Sequence, residues 1–258
     1  MTDKFTRIVY NVIKDADIII EVLDARNPLG TRSNRLEILI NQYQNKKLVL
    51  LLNKADLIPS EILHQWIRFL SKEYPVFYTS DRYGFQNSIR FLKKNILKLT
   101  KKRPVRVCLV GYPNVGKSSI INALRKKKVA PTSPLAGFTH GKKYIKLAKG
   151  DIFLIDTPGV IPFDEESEVE LVLRGAIRPD KIYHLLDAVD KILSIVSKDE
   201  LFNKYGINYT NTNEFLEKMA YKRGRLGAKG IADIKSAAKI LINDFQRGRI
   251  KYYFDPPK

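Results

Sequence analysis

The sequence predicts an α/β fold, in which a doubly wound, mostly parallel sheet is followed by a small α-helical domain. Three observations support this prediction. In the first part of the chain, apolar runs typical of buried parallel strands alternate with segments of helical spacing. One of these runs leads through a glycine-rich loop directly into a helical segment. Beyond Pro162 only helical spacing is found. We therefore expect one domain over residues 1–162 and a second over residues 163–258.

The strands of the first domain are predicted from short apolar runs bounded by polar or turn residues. In chain order the predicted strands are 17–23, 47–52, 76–79, 105–110, 143–147 and 152–155. The last two flank a Lys-Gly turn and read as a hairpin. Helical segments are predicted between them at 34–42, 61–72 and 117–127. This alternation favours parallel strands with helices on both faces of the sheet.

The second domain is predicted to be helical throughout. Its apolar residues recur at helical spacing in four segments, 165–177, 180–196, 212–223 and 231–245. A glycine-broken basic loop, RGRLGAKG, separates the last two segments at residues 223–230. No stretch of alternating apolar and polar residues indicates a strand there.

Composition excludes several classes of protein. The 258 residues are 44% hydrophobic, which excludes an intrinsically disordered chain, and a single cysteine excludes an internal disulfide framework. The apolar runs are too short to span a bilayer. The first ten residues lack the basic-then-apolar pattern of a secretory signal. We therefore expect a globular cytoplasmic protein.

Basic residues are in large excess and are unevenly distributed. The net charge is +19, and residues 1–160 contain 29 basic but only 12 acidic side chains. The densest run, residues 90–106, has eight basic residues and no acidic one. Solvated helix faces and a linker are the alternative interpretation, but several unneutralised runs of one sign favour a polyanion-binding face. No basic helix with a broad aromatic face is found, so we expect RNA and not a membrane surface as the partner.

The most specific motif is GYPNVGKS at residues 111–118, which matches the phosphate loop GxxxxGK[ST]. It follows a predicted strand and opens a helix, as the motif requires. Backbone N–H groups of such a loop cradle phosphates, the lysine reaches the β and γ oxygens, and the serine hydroxyl binds Mg²⁺. The predicted phosphate contacts are Asn114, Val115, Gly116, Lys117, Ser118 and Ser119.

A second motif, DTPG at residues 156–159, ends the last predicted strand. Asp156 is suited to support Mg²⁺ through water, and the backbone N–H of Gly159 to contact the γ-phosphate. Between the two motifs, Thr139 is the candidate switch threonine for Mg²⁺, with Thr132 as the competing choice. Lys117 and Thr139 are the predicted catalytic residues.

The third motif, NKAD at residues 53–56, comprises Asn53, Lys54 and Asp56 and predicts a guanine site. A carboxylate can accept hydrogen bonds from N1–H and the exocyclic amine of guanine, and adenine has no such pair of donors. The motif thus disfavours a P-loop ATPase or kinase. The next strand is followed by Thr79, Ser80 and Asp81, which would support the base through the main chain.

The order of the motifs is unusual, because NKAD precedes the phosphate loop and DTPG comes last. In a parallel sheet the loops after the strands meet at one edge, so the site depends on spatial adjacency and not on chain order. Together with the opening DADIIIEVLDARNP and the tail NDFQRGRIKYYFDPP, this arrangement resembles the circularly permuted GTPases that assist ribosome assembly.

The resemblance implies a monomeric, Mg²⁺-dependent P-loop GTPase that hydrolyses GTP to GDP and docks on ribosomal RNA or a ribosomal subunit. Val160 stands where many GTPases have a water-orienting glutamine, and the N-terminal histidine of bacterial members has no counterpart here, so we expect slow intrinsic turnover. Asn114 matches an asparagine that holds K⁺ in related proteins, which gives the hypothesis of potassium stimulation. The alternative is a nucleotide-gated RNA-binding protein with negligible hydrolysis.

Overall fold

The computed structural model describes residues 4–82, 84–125, 144–147, 151–155 and 167–257. The chain forms two compact units, one of Met1–Asp164 with Phe254–Lys258 and the other of Glu165–Tyr253. The last five residues, which the sequence assigned to the helical domain, thus belong to the first unit. The predicted α/β fold class is confirmed.

The first unit contains a six-stranded sheet in the order β3-β2-β1-β4-β6-β5. The strands are β1 (Ile18–Asp24), β2 (Lys47–Asn53), β3 (Val76–Tyr78), β4 (Val105–Val110), β5 (Tyr144–Leu147) and β6 (Ile152–Ile155). All neighbouring pairs are parallel except β5 with β6, which is antiparallel. Every residue of β1 is buried, because this strand lies in the middle of a sheet covered on both faces.

The strand order reverses between β1 and β4. From β1 the chain proceeds outward through β2 to β3 and then returns to place β4 on the other side of β1. In open α/β sheets, ligands bind at the carboxyl ends of the strands that flank such a switch point. The crevice between β1 and β4 is therefore the expected binding site.

The helices described in this unit are α1 (Lys4–Asp15), α2 (Asn34–Asn41), α3 (Ser60–Leu70), α4 (Phe85–Leu99) and α5 (Lys117–Arg125). The sequence prediction missed α1 and also α4, most of which falls in the basic run 90–106. Helix α4 buries Ile89, Leu92 and Ile96, which recur at helical spacing, while its lysines occupy the other positions. The high charge of this segment obscured a regular apolar stripe.

The second unit is built from α6 (Glu168–Leu173), α7 (Leu185–Ile195), α8 (Lys198–Tyr205), α9 (Thr212–Lys222) and α10 (Ile234–Gln246). They surround one apolar core that includes Ile192, Phe215 and Leu241. The sequence prediction missed α8, a short helix that Ser197 caps through a 3.2 Å bond from the amide of Glu200. In the described part of this unit, the only β pairing is an isolated bridge between Leu226 and Ala232.

The carboxyl-terminal segment binds to the first unit through its backbone. The amide of Phe254 donates to the carbonyl of Arg26 at 2.9 Å, and the carbonyl of Phe254 accepts from the indole of Trp66 at 2.8 Å. Trp66 is a buried residue of α3. Across the described ranges, no helix has the length and apolar character needed to cross a membrane.

Candidate nucleotide-binding site

Two of the predicted motif loops, NKAD and the phosphate loop, lie at one edge of the sheet beside the loop that follows β1. Strands β1, β2 and β4 run parallel, so their carboxyl ends meet, and each is followed by a loop that bears polar side chains. Asp24 ends β1, Asn53 ends β2 and the phosphate loop begins at Gly111 directly after β4. This edge is the crevice of the switch point.

The backbone of the phosphate loop requires glycine at two positions. Gly111 has φ of +142°, and a Cβ there would lie 2.5 Å from the carbonyl oxygen of Val22 in β1. Gly116 has φ of +104°, and a Cβ would lie 2.0 Å from Nδ2 of Asn53. Asn114 also has positive φ, +60°, which asparagine tolerates better than most residues. The glycine spacing of the motif thus corresponds to close approaches to β1 and β2.

Lys117 begins α5 and is buried beneath the loop. Its ammonium donates to the carbonyl oxygens of Gly111 and Tyr112, both at 2.5 Å. No described carboxylate forms an ion pair with it, and burial lowers the pKa of Lys117 to about 8. An anion in the loop would favour the charged form of this amine, and the amino-terminal end of α5 adds a positive potential at the same place.

Asn53 connects the base motif to the phosphate loop. Its Nδ2 donates to the carbonyl of Val115 at 2.7 Å, and its Oδ1 accepts from the hydroxyl of Thr79 at 2.7 Å. Both Asn53 and Thr79 are buried. One side-chain amide therefore fixes the ends of β2 and β3 against the loop after β4. Val115 lies 62 residues from Asn53 in the chain.

Asp56 lies beside the loop that follows β3. Its Oδ1 accepts from the amide of Asp81 at 3.0 Å. Ser80 in the same loop is buried and is held by Ser88 of α4, which donates to its carbonyl at 3.0 Å. The structure thus brings Asp56 together with the predicted residues Thr79, Ser80 and Asp81.

Sequence reasoning missed Arg82, which holds this loop in place. Its guanidinium donates to the hydroxyl of Ser60 at 2.6 Å and to the carbonyl of Ile58 at 3.0 Å. The arginine thereby ties the loop after β3 to the segment that follows the NKAD motif. The only sequence signal is a basic residue directly after Asp81, and no motif includes it.

Lys54 has left-handed backbone geometry, with φ of +62°, and its ammonium donates to Oδ2 of Asp24 at 2.8 Å. Arg26 also binds this carboxylate, at 2.9 and 2.7 Å. Burial alone would raise the pKa of Asp24, but the ion pairs with Arg26 and Lys54 outweigh it and hold that pKa far below its usual value. Asp24 and Arg26, at the end of β1, thus form a buried salt bridge.

Part of the predicted site lies outside the described residues, namely Thr132, Thr139, Asp156, Gly159 and Val160. Strand β6, which directly precedes Asp156, pairs in parallel with β4. Of the predicted Mg²⁺ ligands, Ser118 is described, with an exposed side chain in the first turn of α5. In the described ranges no three His, Cys, Asp or Glu side chains converge to hold a metal. A hydroxyl oxygen at the mouth of a phosphate loop fits Mg²⁺, which is bound in such sites by few protein ligands together with phosphate oxygens.

Comparisons with known proteins agree with this arrangement. A family model described as a 50S ribosome-binding GTPase matches residues 106–219, so the match begins in β4. Nucleolar GTP-binding protein 2 of Yarrowia lipolytica is 39% identical over 257 residues, which cover 97% of this chain and 50% of that protein. Nuclear/nucleolar GTPase 2 of Arabidopsis thaliana is 38% identical over 256 residues, which cover 97% of this chain and 44% of that protein.

The comparisons also correct one expectation. The chain spans about half the length of the curated relatives that it matches. Their names place those relatives in the nucleus or nucleolus, so the predicted cytoplasmic location is wrong. That prediction depended on the pattern of the first residues, the short apolar runs and the single cysteine. These features separate secreted from non-secreted proteins but do not distinguish compartments within a cell.

A solved structure supports the permuted topology. The GNP-bound YlqF of T. maritima superposes with a TM-score of 0.72 and 27% sequence identity, over 99% of both chains. The likeness therefore includes both units and not the sheet alone. With a base motif that precedes its phosphate loop in sequence and adjoins it in space, the chain has the fold of the circularly permuted P-loop GTPases.

Proposed function

We propose that this protein binds GTP, hydrolyses it to GDP and phosphate, and uses the nucleotide state to control docking on the RNA of a ribosomal subunit. One observation carries the proposal: the 2.7 Å hydrogen bond from Asn53 to the carbonyl of Val115 joins a guanine motif to a phosphate loop. The base and the phosphates of a guanine nucleotide would thus be bound by two loops that this hydrogen bond holds together. The relatives' names and the ribosome-binding family model support the same reaction and partner.

Guanine would be recognised by the carboxylate of Asp56. Its Oδ1 already accepts from the amide of Asp81, and a carboxylate oxygen has lone pairs for further donors. Two donors of guanine, N1–H and the exocyclic amine, would occupy the remaining lone pairs of this carboxylate. Adenine has no such pair of donors and could not do so. Asn53, Lys54, Thr79 and Ser80 would hold the walls of the base site in position.

The phosphates would be bound by residues 114–119, with the ammonium of Lys117 at the β and γ oxygens. The hydroxyl of Ser118 would hold Mg²⁺ together with Thr139 and, through water, Asp156. When bound, this ion would neutralise charge on the phosphates. Gly159 would sense the γ-phosphate through its backbone N–H. These contacts would be lost after hydrolysis, which gives the nucleotide state a way to change the protein.

Hydrolysis would be slow without a partner. Val160 follows Gly159, so the chain has no glutamine at the position that orients water in many GTPases. We expect K⁺ beside Asn114 and a docked ribosomal particle to supply the missing stabilisation. Asn114 lies within the phosphate loop and has an exposed side chain, which supports this expectation.

The experiment that tests guanine recognition compares GDP, ADP and xanthosine diphosphate by calorimetry in the presence of Mg²⁺. We expect the protein to bind GDP and not ADP. Asp56→Asn should lose GDP affinity by about 100-fold and gain affinity for xanthosine diphosphate, because an amide can donate to the O2 of xanthine. The matched control, Asp199→Asn, changes an exposed carboxylate of α8 and should bind GDP as the wild type does. Equal heats with GDP and ADP would refute the assignment.

A second candidate function is suggested by Val160 alone: a nucleotide-gated RNA-binding protein with negligible hydrolysis. Multiple-turnover phosphate release, measured in KCl and in NaCl with and without ribosomal particles, distinguishes the two. We expect release to be faster in KCl and faster again with particles. A rate that stays at background under all four conditions would favour the second candidate.

A further inference from the structure

The second unit presents an exposed basic loop between α9 and α10, residues 223–233, which we call the hairpin loop. All residues from 221 to 231 are exposed. No acidic residue occurs from 218 to 232, where the chain contains five basic ones. Exposed basic segments are often mobile tails, but this one has a defined backbone.

The hairpin loop is shaped by main-chain hydrogen bonds. At the end of α9 the amide of Arg225 donates to the carbonyl of Ala220 at 2.8 Å, and the amide of Gly224 to that of Tyr221 at 3.1 Å. These two bonds form a Schellman motif, which explains the positive φ of Gly224. Further along, the amide of Asp233 donates to the carbonyl of Arg225 at 2.8 Å and closes the hairpin. The basic side chains are therefore presented from a fixed scaffold.

Nothing among the described residues requires glycine at position 227. Its φ is −85°, in the extended region that every residue adopts. A Cβ at this position would find its nearest neighbour, the carbonyl oxygen of Ile231, at 3.7 Å, which is ordinary van der Waals contact. A glycine that neither backbone geometry nor packing requires indicates close approach by something outside the chain.

Arg225 and Lys229 are the basic groups on this loop that are available to a partner. Both are exposed, and no described carboxylate forms an ion pair with either. The nearest acidic residue along the chain from Lys229, Asp233, accepts from the amide and hydroxyl of Ser236 at 2.9 and 2.6 Å. Its charge therefore serves as the cap of α10 and does not pair with the basic side chains of the hairpin loop.

We propose that the hairpin loop binds the phosphate backbone of RNA, with Arg225 and Lys229 pairing with phosphates and Gly227 allowing the strand to approach the protein backbone. The inference rests on the proposed RNA docking and assigns a surface to it. A basic loop whose single carboxylate, Asp233, caps α10 complements a polyphosphate chain. Leu226 and Ile231, which are 47% and 64% exposed, would contact sugars and bases beside those phosphates. These apolar side chains alone would also suit a protein partner, but the charge favours RNA.

The test measures binding of the full chain to a fluorescein-labelled 24-nucleotide RNA hairpin by fluorescence anisotropy over a range of salt concentrations. We expect Arg225→Gln combined with Lys229→Gln to weaken binding about tenfold or more at moderate salt. Loss of two phosphate contacts should also reduce the slope of log K against log salt by about 1.5. Gly227→Ala should weaken binding while the salt slope and the melting temperature stay unchanged, which a merely structural glycine would not do.

The matched control removes two exposed lysines elsewhere in the same unit, by Lys191→Gln with Lys204→Gln. It should bind the RNA as the wild type does, and all variants should bind GDP equally. If the wild type binds no RNA, the proposed docking function fails and the loop assignment fails with it. If the wild type binds but the loop variant binds equally, or the control weakens as much, only the loop assignment fails. Loss of binding to ribosomal particles with unchanged binding to the RNA hairpin would identify a protein partner and overturn the assignment.

Discussion

Glu21 is a carboxyl group in the middle of β1, with no exposed surface. Its Oε1 accepts from the amide of Ser33 at 2.8 Å, and Oε2 has no hydrogen-bond partner among the described residues. Burial, with a further contribution from Glu37, raises the pKa of Glu21 to about 8. The group therefore carries its proton at neutral pH in the folded protein, while in the unfolded chain it is ionised.

This difference makes folding stability depend on pH. Between pH 4.5, the ordinary value, and about 8, only the unfolded chain releases the proton, so stability should fall as the pH rises. The fall should be of order 1.4 kcal/mol per pH unit for this one group. Glu21→Gln has an amide that accepts from Ser33 and does not titrate, so its stability should decline less over this window.

Urea denaturation at pH 5, 6, 7 and 8 measures the effect. The control, Glu61→Gln, removes an exposed carboxylate at the start of α3 and should retain the pH dependence of the wild type. Parallel stability profiles for the wild type and Glu21→Gln would show that Glu21 is not the group responsible.

At the scale of single elements, two glycines of the second unit differ in what they contribute. Gly206 ends α8 in the left-handed conformation, with φ of +62°, and its amide donates to the carbonyl of Phe202 at 2.6 Å. A Cβ there would approach the ammonium of Lys222, the flexible end of a side chain that can move away. The cost of replacing Gly206 is therefore the backbone conformation itself.

We expect Gly206→Ala to lower the free energy of unfolding by about 1 kcal/mol or somewhat more. Gly227→Ala should change it by less than about 0.5 kcal/mol, because φ at Gly227 is negative and the surrounding space is open. Chemical denaturation of the two variants side by side makes the comparison. Equal losses of stability would contradict this account and would also remove the argument that Gly227 serves a partner.

The sequence predicted best those elements that a short run of neighbouring residues is enough to identify. Strand β4 and strand β6 have the predicted bounds, because each is an apolar run between polar residues. Helix α4 was missed because its apolar positions are interspersed with lysines, so composition outweighed spacing. Helix α8 was missed because it is short and its caps, Ser197 and Gly206, are its clearest signals.

The site shows the same division between local and non-local information. The glycine positions of the phosphate loop could be predicted, because close approach leaves no other choice of residue. The contacts that assemble the site could not, since Asn53 with Val115 and Arg82 with Ser60 join residues that are distant in the chain and belong to no shared motif. Parallel topology predicted that the motifs would be adjacent in space. It did not predict which side chains would connect them.

At the scale of the whole molecule, residues 254–257 belong to the first unit together with α1 and β1. The backbone of Phe254 bonds to Arg26 and Trp66. Trp66→Phe would retain most of the buried ring but remove the donor to the Phe254 carbonyl. We expect a loss of about 1 kcal/mol in stability and faster hydrogen exchange at the Phe254 amide, as the segment detaches more often.

Hydrogen exchange followed by mass spectrometry of the carboxyl-terminal peptide measures this directly. Amides of β1, such as that of Ile20, should keep their protection, which shows that the fold itself is intact. Exchange at Phe254 identical to that of the wild type would mean that the indole bond does not hold the segment.

The strand order has a consequence for the protein while it is being made. As the polypeptide leaves the ribosome, β1 can pair at once with β2, but its other edge stays open until β4 is synthesised about 80 residues later. During that interval this fully buried strand offers unpaired backbone groups to any neighbouring chain. Because of the rearranged order of motifs, the nascent protein can aggregate until β4 has been made. Chaperones or rapid translation would protect it during this time.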